Sequence, residues 1–236
     1  MRRTRNWVDI LYRQVLKCPY SSYNGGVNSS TSAKAVGRPR SFDTSEVLDR
    51  ALEVFWRKGY EGASLSDLTK AMGINRPSLY AAFGDKEKLF RKVLDRYAEG
   101  PASYSIASLQ EPTSRAVVER LLYGTVDFLT SPQKPHGCLW VQGALACGNG
   151  ADSVRKELIS RRMAGEAALR QRLNRAKSDG DLPPEANPAS LARYVVTLIQ
   201  GMSIQAAGGA TRRDLRHVID IALQSWPSRR NRIRNN

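Results

Sequence analysis

Residues 64–83 read SLSDLTKAMGINRPSLYAAF, and the fold follows from how that string is punctuated. Ser64 has the character of a helix cap, Asp67 takes the acidic third position, and Leu65, Leu68 and Met72 recur at core-facing spacing. Gly73 ends this helix, because glycine reaches positive φ without a Cβ clash. Asn75 caps the next helix, with Ile74 and Leu79 at staple positions, and Leu79 and Phe83, four apart, turn inward. Two short helices joined by the tight turn Met72-Gly73-Ile74-Asn75 make a helix-turn-helix, which presents its second helix to a DNA major groove.

Toward the N-terminus, Asp43 is a cap with Glu46 three residues on, as in a capping box, and Phe42 and Val47 stand where a staple closes. Val47, Ala51 and Phe55, flanked by Leu48 and Leu52, form one apolar stripe. Arg57, Lys58 and Gly59 supply a cationic last turn and a left-handed exit. On the helix opened by Asn75, the residues Arg76, Pro77, Tyr80 and Ala81 share the face opposite Leu79 and Phe83, with Ser78 near its edge. Arg76 stands in the first turn, where the helix dipole disfavours a cation by a few tenths of a kcal/mol up to about 1. A phosphate or a guanine edge offsets that cost, and a plain solvated position is the alternative.

Gly37-Arg38-Pro39-Arg40, Ala51-Leu52-Glu53-Val54-Phe55, Gly59-Tyr60 and Ser64-Leu65-Ser66-Asp67-Leu68 are followed by Ala71-Met72-Gly73-Ile74, Ser78 to Phe83 and Asp85 to Phe90. With these motifs, residues 37–99 resemble the DNA-binding domain of the TetR/AcrR family of one-component regulators, over about a quarter of the chain. The resemblance implies an all-α protein: an N-terminal three-helix helix-turn-helix domain (37–99), then a C-terminal helical effector-binding and dimerisation domain (100–227). It also implies a cytoplasmic, nucleoid-associated homodimer that represses transcription at a (pseudo)palindromic double-stranded DNA operator until a small-molecule effector releases it. No cofactor and no metal are expected. Carried over by position, Ser64 and Ser66 bond backbone phosphates, and Asn75, Arg76 and Ser78 face bases or phosphates. Tyr80 gives its hydroxyl to a phosphate and Lys86 pairs with another. An ordinary half-buried aromatic is the alternative for Tyr80, and a cap alone is the alternative for Ser64.

Charge points to the same partner. The 236 residues carry 37 Lys plus Arg against 22 Asp plus Glu, a net of +15. Residues 1–40 hold eight basic and one acidic residue, whereas residues 41–100 balance at ten and ten. The helix-turn-helix region must therefore place its cations on one face, with the flanks supplying much of the field. Residues 1–36 read as a basic, disordered extension, polar and glycine-containing from Ser21 to Ser32. Within it residues 7–16 have the make-up of a short basic amphipathic helix, interrupted too often by charge for a secretory signal. Arg38 and Arg40 read as an arm that enters a minor groove or rides the phosphates. Residues 228–236 form a basic tail with Arg229, Arg230, Arg232 and Arg234.

Beyond Pro101 and Pro112, helices are expected at about 113–130, 137–147, 152–178, 188–207 and 212–226. Leu191, Tyr194, Val195 and Leu198, with Leu215, Val218, Ile219, Leu223 and Trp226, form stripes at helical spacing. These are expected to meet their twins as a four-helix dimer interface, the alternative being that both stripes pack inside one subunit. The resemblance places an effector pocket among these helices, with Tyr123, Phe128, Trp140, Met163 and Met202 as lining candidates beside a plain core role.

Rival functions find little support. Cys18, Cys138 and Cys147 lack C-x-x-C spacing, which argues against zinc and fits buried, inert thiols in a reducing compartment. His136 and His217 belong to no metalloprotease, serine-hydrolase or phosphate-loop motif, so no catalytic residue is assigned. A membrane-surface or scaffold role built on the basic N-terminus would leave the helix-turn-helix unexplained, so no membrane partner is expected.

Overall fold

The structure, a computed structural model, describes residues 43–145 and 151–227. These form ten α-helices and no strand. The first four are α1 (Thr44–Gly62), α2 (Leu65–Met72), α3 (Arg76–Phe83) and α4 (Lys86–Glu99). They are followed by α5 (Tyr104–Ser108), α6 (Ser114–Leu129), α7 (Leu139–Leu145), α8 (Asp152–Ser178), α9 (Pro188–Ala207) and α10 (Arg212–Gln224).

Short-range chemistry sets the N-terminal boundaries. Ser64 Oγ accepts the Asp67 N–H at 3.0 Å while Asp67 Oδ2 accepts the Ser64 N–H at 3.1 Å, so the reciprocal box at α2 is formed. Asn75 Oδ1 accepts the Ser78 N–H at 2.8 Å and opens α3. Asp43 Oδ1 accepts from the Ser45 N–H at 2.8 Å, but Glu46 pairs with Arg50 instead of returning to the cap. The box expected at α1 is thus one-sided, because an ion pair one turn on competes for the same carboxylate. Gly59 breaks the regular part of α1 at φ 69°, and Gly73 closes α2 in the left-handed region at φ 67°.

Packing then joins the two halves of the chain. The Phe55 ring meets Phe90 edge-on at 4.9 Å, and Trp56 meets Tyr97 at 5.0 Å and stacks on Phe128 at 5.4 Å. Trp56 Nε1 also donates to the Gly137 carbonyl at 3.0 Å. One apolar cluster therefore runs from α1 to α10, and the helix-turn-helix is braced against the C-terminal helices. Leu68 and Leu79 are wholly buried, each contributing about 1.5–3 kcal/mol by removal from water.

The C-terminal helices follow the expected order, with α9 spanning the residues expected of it and α10 ending two residues early. α7 starts at Leu139, and residues 146–150 lie outside the described part. α5 was not expected: its single turn is too short to show a period, and Ser108 Oγ caps it inward on the Tyr104 carbonyl at 2.8 Å. Arg172 on α8 fastens the α5–α6 connection by donating to the carbonyls of Leu109 (3.2 Å), Glu111 (2.7 Å) and Pro112 (3.1 Å).

The expected dimer stripes divide. Val195, Leu215, Ile219, Leu223 and Trp226 are buried within the subunit, so packing inside one subunit holds for them. The reason is α6, which packs against both α9 and α10 and takes their most continuous apolar row. Leu191 and Leu198 are half-buried, while Tyr194 and Val218 are exposed, together with Ile204 and Ile221.

Candidate nucleic-acid interface and internal cavity

Ser66 and Lys70 lie four apart on α2, Arg76 and Tyr80 four apart on α3, and all four are exposed. Ser78 is half-buried beside them. Lys70, Arg76 and Lys86 have no carboxylate within ion-pair distance among the described residues, and Lys92 on α4 has none either. By contrast Arg50, Arg57, Lys58, Lys88, Arg91 and Arg96 are each tied to one. A segment of balanced composition is thereby left with uncompensated positive charge at its helix-turn-helix, which attracts a polyanion. Lys70 escaped the sequence reading, although its spacing from Ser66 places both on one side of α2.

Several side chains are held in position. Lys86 Nζ sits 4.5 Å from the centroid of the Tyr60 ring, a cation–π contact that steadies the ammonium group. Partial burial lowers its pKa, opposed by the charge of Glu61. Lys58 Nζ reaches Asp67 Oδ1 at 2.8 Å and, with Ser64, holds the Asp67 carboxyl down at about 2. Ser64 Oγ donates to Asp67 Oδ2 at 2.8 Å, so its hydroxyl proton is occupied by the cap. Arg38 and Arg40 lie outside the described residues.

A cavity of about 130 Å³ lies among the C-terminal helices and the end of α4. Tyr97 (α4), Leu121 (α6), Trp140 (α7), Arg161 and Leu169 (α8) and Val196 (α9) supply its walls. Of the five lining candidates, Trp140 is at this cavity and the other four are elsewhere. Tyr123 donates to Asp220 Oδ1 at 2.7 Å across the α6–α10 contact. Phe128 is stacked on Trp56 in the core, Met202 is buried, and Met163 is 65% exposed on α8. Helical spacing names the apolar rows but not which row adjoins a void.

The phenols and the thiol of the cavity wall are uncharged. The Tyr97 hydroxyl donates to Cys138 Sγ at 3.4 Å and accepts from the Leu139 N–H at 3.3 Å. Burial raises the Tyr97 and Tyr104 phenols and the Cys138 thiol above their usual ranges, so all three stay protonated near neutral pH. Cys18 and Cys147 lie outside the described residues, and His136 and His217 are exposed. Among the described residues no cluster of His, Cys, Asp or Glu is placed to hold a metal ion, and no helix is long and apolar enough to cross a membrane.

A family model for bacterial regulatory proteins of the tetR family matches residues 47–93, and a tetracyclin repressor-like C-terminal domain matches residues 115–222. The chain is 35% identical over 196 residues to the HTH-type transcriptional repressor ComR of Escherichia coli strain K12, spanning 82% of this chain and 93% of that protein. It is 32% identical over 190 residues to the uncharacterized HTH-type transcriptional regulator YezE of Bacillus subtilis strain 168, spanning 80% and 98%. A solved cysteine mutant of the TetR family transcriptional regulator CifR, complexed with 26 bp double-strand operator DNA, is similar at a TM-score of 0.78. That structure is 42% identical and covers 80% of this chain and 100% of its own.

Proposed function

This chain belongs to the TetR family of bacterial transcriptional regulators, and from that premise we propose that it is a dimeric, effector-released repressor of transcription. The observation that carries the reading is the set of cations Lys70, Arg76 and Lys86 without an ion-pair partner among the described residues at the helix-turn-helix, where Arg50, Arg57, Lys58, Lys88, Arg91 and Arg96 are each paired. Arg76 and Ser78 read base edges from α3, and Asn75 assists at its N-terminus. Ser66, Tyr80, Lys86 and Lys70 bond phosphates and fix the register. Ser64 serves chiefly as the cap. The division at residue 100 into DNA-binding and effector-binding units is part of this reading, as are the Arg38–Arg40 arm and the cytoplasmic setting beside the nucleoid. No catalytic role is assigned.

Tyr194, Leu198 and Ile204 on α9 with Val218 and Ile221 on α10 form the surface through which two subunits pair. Pairing sets the two recognition helices to successive major grooves, about 34–36 Å apart. The effector occupies the cavity. Because Tyr97 and Ala98 of α4 are part of its wall, a ligand there bears directly on the helix that follows the helix-turn-helix. Release requires tighter binding to the DNA-incompetent arrangement, with a coupling of roughly 1–3 kcal/mol.

The test is selection of genomic fragments bound by the purified protein, followed by titration of variants. Tyr80→Phe and Lys86→Ala should weaken all fragments alike, with Lys86→Ala lowering the log–log salt slope by about 0.9. Arg76→Ala and Ser78→Ala should change preference among fragments. A protein that selects no fragment, or variants that all bind as the parent does, would overturn the assignment.

A further inference from the structure

Two residues of the cavity wall carry a buried hydrogen-bond donor that no protein group among the described residues satisfies: Arg161 Nη1 and Trp140 Nε1. The rest of the Arg161 fork is committed, Nε to Glu157 Oε1 at 2.7 Å and Nη2 to Asp95 Oδ1 at 2.7 Å. Native interiors rarely leave such groups unpaired, and an orphaned N–H in an otherwise apolar chamber marks the place of an absent acceptor. Neither nitrogen is reached by solvent, so a ligand must shift one of these two side chains to meet it.

Size and charge narrow the ligand further. An apolar cavity of about 150 Å³ holds benzene, so about 130 Å³ suits a compact molecule built on no more than one such ring. Arg161 of the wall is already held by Glu157 and Asp95, and behind it Arg91 is held by Glu87. Glu166, also at the wall, is neutralised by Arg193 at 2.8 Å. A third carboxylate at Arg161 would exceed the charge of its guanidinium in apolar surroundings, whereas a neutral oxygen accepts a proton bond without adding charge.

We infer that the effector is a compact, mainly apolar, uncharged molecule with an oxygen acceptor of the carbonyl type, which takes the free N–H of Trp140 or of Arg161 once that side chain turns toward the cavity. This rests on the cavity being the effector site of the proposed regulator.

The test uses the purified full-length protein and three probes of similar size: acetophenone, ethylbenzene and benzoate, titrated by calorimetry. Acetophenone should bind about tenfold or more tightly than ethylbenzene, and benzoate more weakly than acetophenone. Trp140→Phe, which keeps an aromatic ring and removes the N–H, should shrink the acetophenone advantage while ethylbenzene binds much as before. Arg161→Lys probes the second donor; should loss of its fork prevent folding, Trp140→Phe carries the test alone. Equal binding of acetophenone and ethylbenzene, tighter binding of benzoate, a preference unchanged in every folded variant, or no binding of any probe would each overturn the inference. DNA selection on the same preparation separates the two readings. Acetophenone preference without duplex selection would sink the regulator and leave the ligand class standing, and duplex selection without acetophenone preference would do the reverse.

Discussion

Asn75 has a capping role and a proposed DNA contact, which one pair of substitutions separates. Its side-chain oxygen caps α3 through the Ser78 N–H at 2.8 Å, and its amide N–H₂ is the group proposed to meet DNA. Asn75→Ala removes both. Loss of an exposed cap costs about 1 kcal/mol, which in a chain of this size lowers the thermal midpoint by roughly 2–4 °C. α3 has eight residues, too few to persist by itself, so the loss falls on the recognition helix. Asn75→Ser keeps an oxygen at the cap and deletes the amide, so its midpoint should stay near that of the parent. Its DNA affinity should still drop, by roughly 5- to 150-fold if the amide makes a base contact of about 1–3 kcal/mol. Calorimetric melting without DNA, beside anisotropy titration of a selected fragment, reads the two effects independently. Equal destabilisation by Ser and Ala would refute the cap, and undiminished affinity of the Ser variant would refute the contact.

Other perturbations have equally definite signs. Gly73→Ala places a Cβ at φ 67°, about 3.3 Å from Arg50 Nη1, and should cost about 1–2 kcal/mol in a denaturant titration, the left-handed penalty for a residue with a Cβ. The Asp67 carboxyl is held at about 2, below its ordinary 3.8, so its contribution is full above pH 3.8 and vanishes as pH falls through 2. The gap in urea midpoint between the parent and Asp67→Asn should therefore close across that window. Ile221→Arg, at a side chain 68% exposed in the single subunit, should yield monomers in sedimentation velocity and weaken operator binding without altering the helical circular dichroism spectrum. A dimer that survives this change would locate the pairing surface elsewhere.

Much of the candidate interface was legible because its signals are local. Ser64 with Asp67, Asn75 with Ser78, and Gly73 each act within four residues, so spacing alone places α2 and α3 and shows which side of α3 carries Arg76 and Tyr80. The cavity was less accessible to such reasoning. Tyr123, Phe128, Trp140, Met163 and Met202 all have the right chemistry for a pocket, yet Trp140 alone among them adjoins this one. Likewise the apolar rows of α9 and α10 were visible, but α6 closes over the most regular of them and leaves Tyr194, Ile204, Val218 and Ile221 outside.

Helix identity, order and capping, and the helix-turn-helix with its outward side chains, were determined by the amino-acid sequence itself, since they depend on contacts a few residues apart. The tertiary structure decided which cations remain unpaired, which apolar row meets solvent, and which donors surround the void. Arg96 finds Asp49, Arg161 finds Asp95 and Trp56 finds Gly137 only when distant segments pack, because charge balance and burial depend on neighbours in space.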